Sequence, residues 1–272
     1  MKKLLFILLF SSLTFAKTNI VVTVLPQKIF VDKIGGDKVE TSVMVLSGSS
    51  PHNYSPKPSQ MLNVSRADIY FTIGVEFEEI WLEKFKNQNR ELMVIDSSKG
   101  IKKNREAHHH ELDPHVWVNP VNVKIIAQNI ANSLIEKDRN NSKYYKENLK
   151  TFLIELDSLD LKIKNILEKT TKNSAFMVFH PSWGYFASQY GLRQIAVEVD
   201  GKEPKMRALV NLIKEAKKEK IRAIFAQPEF SDKSAQILAK SLDIKVIKAS
   251  PLSENWSENL INLAKAIATK EP

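Results

Sequence analysis

Short apolar runs alternate with amphipathic stretches along most of the chain. Residues 19–24 are almost continuously apolar and predict a buried strand. A helix is expected after Pro26 and should stop at Gly35 and Gly36, because proline suits a first helical turn and glycine a helix end. Further strands are expected over 39–46, 68–73 and 92–95, with short helices over 59–65 and 77–85. Residues 142–169 break this rhythm. They contain no Pro or Gly, and Tyr145, Leu149, Phe152, Leu156, Leu159, Ile163 and Ile166 recur at spacings of four and three. That is the stripe of one amphipathic helix, roughly 40 Å long at 1.5 Å per residue, with Ser142 as its expected cap. Beyond it the alternation resumes. Strands are expected over 175–179, 194–199, 221–226 and 244–248, and helices over 182–190, 204–220, 231–242 and after Asn255. The pattern predicts an α/β protein of two β/α lobes with parallel sheets, 17–141 and 170–272, joined by a rigid helix over 142–169.

The first residues read differently. Lys2 and Lys3 precede the apolar run 4–10, and Thr14-Phe15-Ala16 follows. A charged start, about ten apolar residues and a small-residue exit describe a secretory signal peptide, residues 1–16. Cleavage after Ala16 leaves 256 residues. The run is too short to span a bilayer, which takes about 20 apolar residues.

Composition narrows the function classes. The formal charge of +9 becomes +7 without Lys2 and Lys3. The remaining lysines are scattered along amphipathic segments such as 214–219, with no basic block interleaved with aromatics, so no nucleic-acid partner is expected. The chain has no Cys, which excludes thiolate metal sites, iron–sulfur clusters and thiol nucleophiles. It also removes the acceptor for a lipid anchor. A free, monomeric periplasmic protein is the expectation.

The histidines carry the candidate chemistry. The six are His52, His108, His109, His110, His115 and His180, and none falls inside an expected helix. His52 lies just past the second strand and His180 just past the first strand of the second half, where open parallel sheets bind ligands. His115 lies in Asp113-Pro114-His115-Val116-Trp117, before the next helix. Three imidazoles on proline-flanked loops can form three corners of a tetrahedral zinc site. The tract His108–His110 is a separate signal, of the kind that holds metal weakly as an auxiliary capture site. No HExxH, GxSxG, Walker or GxGxxG pattern occurs. A hydrolytic zinc enzyme would need a general base, for which Glu198, Glu203 and Glu229 are candidates near strand ends. An adhesive or metal-sequestering surface protein is a third reading.

Five segments in order resemble ZnuA-like metal-binding proteins, the solute-binding components of metal-importing ABC transporters. They are 51–59 (Pro-His-Asn-Tyr-Ser-Pro-Lys-Pro-Ser), 113–117, 179–186 (Phe-His-Pro-Ser-Trp-Gly-Tyr-Phe), 225–231 and 251–256. The resemblance implies two lobes with the metal between them, His52, His115 and His180 as ligands, and an inner-membrane permease as partner. It implies a carrier and not an enzyme. Imidazole at position 180 favours zinc over manganese, the alternative cargo, for which relatives tend to carry a carboxylate. The chain departs from the family pattern at Ser250, where an Asp is common. That leaves water, Glu229 or a histidine of the tract for the fourth position, with water preferred. Capture by neutral imidazoles should weaken as pH falls through about 6.5.

Overall fold

A computed structural model describes residues 17–46, 48–51, 53–104, 112–199 and 202–268. The signal segment 1–16, His52 and the tract His108–His110 lie outside the described residues.

Each half builds a four-stranded, all-parallel sheet. The first comprises β1 (Thr18–Val22), β2 (Val39–Val43), β3 (Ile69–Thr72) and β4 (Met93–Asp96), in the order β2-β1-β3-β4. The second comprises β5 (Ala175–Val178), β6 (Arg193–Ala196), β7 (Ala223–Ala226) and β8 (Lys245–Lys248), in the order β6-β5-β7-β8. The two orders are equivalent, so the halves share a topology without a residue repeat. In each, the strand order reverses beside the first strand, which opens a crevice at the carboxyl ends of β1 and β3, and of β5 and β7.

The helices follow the apolar pattern. They are α1 (Leu25–Gly35), α2 (Pro58–Arg66), α3 (Glu76–Gln88), α4 (Pro120–Lys137), α5 (Ser142–Leu167), α6 (Gly184–Gln189), α7 (Met206–Lys218), α8 (Lys233–Leu242) and α9 (Trp256–Ala268). α1 carries Pro26 in its first turn and ends where Gly36 takes φ +52°, a conformation that favours glycine. In α5 the residues Tyr145, Leu149, Phe152, Leu156, Leu159 and Ile163 are all buried, as the stripe requires. Ser142 is not its cap: Asn141 holds that place without a side-chain bond, and Ser142 is the first helical residue.

The long helix does more than connect. Its apolar stripe, α1 and α9 share one core that runs from Ile20 to Ala264. Phe30 of α1 meets the edge of Trp256 of α9 at 5.0 Å between centroids. Trp117 donates its indole N–H to the Pro251 carbonyl, and Trp256 donates to the Trp117 carbonyl, each at 2.9 Å. These bonds join residues more than 130 positions apart and fasten the two halves together.

The crevice of the first sheet is filled by a buried polar network. Gln27, just after β1, accepts from the Thr23 and Val24 amides and donates to the Phe71 and Thr72 carbonyls. Glu78 accepts from the Thr23 hydroxyl and from the Ile73 and Gly74 amides. Burial pushes its carboxyl up from 4.5 to about 7, against the pull of those three donors. The folded state therefore holds this proton more tightly than the unfolded chain does. The stabilisation is complete below about pH 4.5 and is lost as pH rises to about 7, a change of roughly 3 kcal/mol. Thermal melts of the metal-free protein between pH 5 and 7.5 should accordingly show a downward trend with pH that is weaker in Glu78→Gln. Parallel trends in the two proteins would contradict this.

Candidate metal centre

The crevice of the second sheet carries the candidate centre. His180 follows β5 directly, and its backbone is clasped by one side chain. Gln227, just past β7, accepts from the His180 amide at 3.1 Å and donates to the His180 carbonyl at 2.7 Å and to the Ser182 hydroxyl at 2.9 Å. Both backbone groups of His180 are thus satisfied inside the protein, which fixes where the imidazole begins.

His115 enters from the first half. It precedes the short turn Val116–Val118, all three residues of which are buried. Asn119 caps α4 by accepting from the Val121 amide at 2.9 Å, with Pro120 in the first turn. This Asn-Pro signal was available in the sequence and marks the start of α4, whose span the hydrophobic pattern alone leaves undefined.

The two imidazoles meet across the halves, with centroids 5.3 Å apart and planes at 71°. Each ring is backed by a carboxylate. His115 Nδ1 lies 2.8 Å from Asp113 Oδ1, and His180 Nδ1 lies 2.8 Å from Glu198 Oε1. All four residues are at most 6% exposed, so both pairs are desolvated. A carboxylate on Nδ1 fixes ring orientation and directs metal ligation to Nε2. Phe230 stacks on the His180 ring at 4.5 Å, and Trp117 lies 5.3 Å from the His115 ring.

Glu229 completes the lining. One oxygen accepts from the Ser250 hydroxyl, which in turn accepts from the Leu252 amide at 3.0 Å. The other oxygen, Oε2, is buried and has no hydrogen-bond partner among the described residues. Burial raises the carboxyl's pKa, opposed first by the Ser250 hydrogen bond. A desolvated, unpaired carboxylate oxygen is costly in a protein interior, and a cation at that point would relieve the cost. Pro51, His115, Trp117, His180, Glu229, Phe230, Pro251 and Leu252 enclose a cavity of about 10 Å³. Such a space suits a single ion or water and is far below the size of organic-ligand pockets.

Of the expected donors, the structure brings His115, His180 and Glu229 to one cavity. Among the described residues no group of three or more His, Asp or Glu is drawn close enough to hold a metal by itself. Of the alternative bases, Glu198 is taken up by His180, and Glu203 accepts from the Ser234 hydroxyl, away from the rings. Asp113 and Gln227 stood inside the quoted segments but carried no signal of their own role. Asp-x-His is a spacing that could have flagged the first. Nothing local could have flagged the second, which acts across 47 residues.

The sequence and the fold are similar to those of known proteins. The family model "Zinc-uptake complex component A periplasmic", ZnuA, matches residues 20–270. The high-affinity zinc uptake system protein ZnuA of Bacillus subtilis is 30% identical over 247 residues, 84% of this chain and 76% of that protein. The zinc-binding lipoprotein AdcA of Streptococcus pneumoniae is 27% identical over 260 residues, 89% of this chain. The chain spans only about half of its length, 52%. Two crystal structures of ZnuA, one of them a deletion mutant with zinc bound, superpose with TM-scores of 0.89 at 41% and 40% identity. They cover 93% and 94% of this chain and 98% and 100% of their own. A family match over nearly the whole chain, joined to the same two-sheet architecture, means that this chain belongs to the ZnuA family.

Proposed function

We propose that this protein is the zinc-binding component of an ABC-type importer, which captures the ion between lobes 17–141 and 170–272 and passes it to a membrane permease. The observation that carries the reading is the pair of buried imidazoles 5.3 Å apart, each with a carboxylate on Nδ1, in a cavity that Glu229 also lines. His115 and His180 are two ligands, and His52, outside the described residues, is the third. Glu229, held by Ser250 in the lining of the same cavity, is the candidate for the fourth position. The Ser at position 250 thus replaces a carboxylate with a hydroxyl that positions a carboxylate from the neighbouring turn.

Neutral imidazole and one carboxylate suit zinc better than manganese, which prefers oxygen donors. The ion is cargo here, so the chain needs to bind and release it and not to catalyse with it. The tract His108–His110 serves as auxiliary capture. The leader 1–16 delivers the protein to the periplasm as a monomer, and these 272 residues contain no Cys to carry a lipid anchor.

The test is calorimetric titration of zinc into the metal-stripped mature chain, repeated with manganese. One tight zinc equivalent is expected at neutral pH, with much weaker manganese binding. The affinity should fall steadily as the pH is lowered towards 5.5, because protons compete for the imidazoles. Tighter manganese than zinc, or zinc binding that disappears when 108–110 are deleted, would overturn the reading.

A further inference from the structure

We propose that Tyr185 is a positioning residue for the His115 ligand, tying the ligand loop of the first half to the segment that carries His180. The inference rests on the metal-binding reading above and adds a residue to it.

Tyr185 lies in the first turn of α6, five positions after His180, and is 4% exposed. Its hydroxyl donates to the Asp113 carbonyl and accepts from the Asn104 amide, each at 2.9 Å. Both partners belong to the first half, 72 and 81 residues away in sequence. The Asp113 amide in turn donates to the Asn104 carbonyl at 2.9 Å. One phenol oxygen therefore closes a small ring of hydrogen bonds around the backbone of Asp113.

The side chain of Asp113 lies against the backbone of the same helix. Oδ1 accepts from the His115 amide at 2.9 Å and pairs with His115 Nδ1. The other oxygen, Oδ2, sits where a Cβ on Gly184 would approach to 2.9 Å. Only a residue without a side chain lets α6 come this near. Tyr185 thus holds the Asp113 carbonyl, Gly184 leaves room for the Asp113 carboxylate, and Asp113 sets the His115 ring.

The gripping segment is itself rigid. The Trp183 amide donates to Gln194 Oε1 at 3.0 Å, and Gln194 donates to the Pro181 carbonyl at 3.3 Å. Gln227 holds His180. The separation of the two imidazoles is therefore set through residues 180–185. Burial, helped by the Asp113 charge, pushes the Tyr185 phenol up to about 12, so it remains a donor across the working pH range.

The test compares wild type, Tyr185→Phe, Asp113→Asn and the double variant by zinc titration, thermal melting and visible absorption of the cobalt(II)-loaded protein. Groups that orient a ligating histidine typically contribute 10–100-fold to metal affinity. Tyr185 acts one step behind Asp113, so Tyr185→Phe should lose about tenfold in zinc affinity, with a changed cobalt spectrum and little change in the metal-free melting point. In the Asp113→Asn background the same substitution should cost almost nothing more, since the two act in series. Gly184→Ala gives a second route, because it displaces the Asp113 carboxylate and leaves the phenol in place; it should alter the cobalt spectrum too. An unchanged affinity and spectrum in Tyr185→Phe, or losses that simply add to those of Asp113→Asn, would overturn the proposal. A wild-type protein that binds no zinc would overturn the functional reading with it, whereas tight wild-type binding alongside an indifferent Tyr185→Phe would overturn this inference alone.

Discussion

His180→Ala is expected to weaken zinc binding by at least a hundredfold. Apparent zinc free energies in small tetrahedral protein sites are about 10–16 kcal/mol. Shared over four donors, that is about 3 kcal/mol or more for each, a factor of roughly 10² to 10³. The substitution also leaves Glu198 buried without its imidazole, and removes the ring that stacks on Phe230. The loop itself should survive, since Gln227 holds backbone groups that alanine retains. The loss should therefore appear in the binding isotherm much more than in the far-ultraviolet circular dichroism of the metal-free protein. Glu198→Gln offers an internal scale. It keeps a hydrogen-bonding group against Nδ1 but removes the charge, and should fall in the 10–100-fold range of ligand-orienting partners. A His180→Ala protein that still bound zinc within threefold of wild type would remove this residue from the ligand set.

The second large effect is on stability. Trp117→Ala should cost about 3–5 kcal/mol, the usual range for truncating a buried aromatic to alanine. Trp117 has no exposed surface. Its indole satisfies the Pro251 carbonyl, and its own carbonyl receives the Trp256 indole. Trp256 in turn packs edge-on against Phe30. Truncation would leave a cavity where the two halves meet and would orphan a buried carbonyl. At about 2–4 °C per kcal/mol for a chain of this size, the melting point should drop by about 10 °C. Trp117→Phe separates the two contributions. It keeps most of the packing and loses only the N–H, so about 1–3 kcal/mol is expected. Denaturant titration of the metal-free proteins checks both values. A Trp117→Ala variant as stable as wild type would mean that the halves are not held together at this point.

Much of the architecture can be read from local pattern. The spacing of Tyr145, Leu149, Phe152, Leu156, Leu159 and Ile163 specifies one face of one helix, and that face is buried. Apolar runs locate the eight strands of the described residues to within a few residues. Such features depend on neighbours in sequence, so they can be counted along the chain. The Ser142 cap fails for the complementary reason. A hydroxyl at a plausible position does not cap unless the backbone turns there, and the preceding turn at 139–141 shifts the start of the helix.

The candidate donors were legible in part. His180 stands in a proline-flanked loop just after a strand, which chain connectivity alone puts at a sheet edge, and His115 in a proline-flanked loop before a helix. That their rings come within 5.3 Å of each other was decided by how the two sheets are set against one another. The partners that orient them were decided in the same way. Glu198 reaches His180 because β6 runs beside β5, and Tyr185 reaches Asp113 because α6 packs on the turn that carries His115. The meaning of Ser250 changed most. From the sequence it is a lost carboxylate; in the structure it bonds Glu229, which lines a cavity together with both imidazoles.

By itself, then, the sequence determined the two β/α halves, the helix between them, the absence of thiolate chemistry and the concentration of imidazoles at loop positions. Periodicity, composition and turn residues act over a few positions and carry that information directly. Only the tertiary structure decided which carboxylate backs which imidazole, what holds Asp113, and where the tryptophans lock the halves together. Apart from the Asp113–His115 pair, which is two positions apart, those contacts join residues 18 to 139 positions apart. Their geometry depends on the packing of the whole core and not on any one segment.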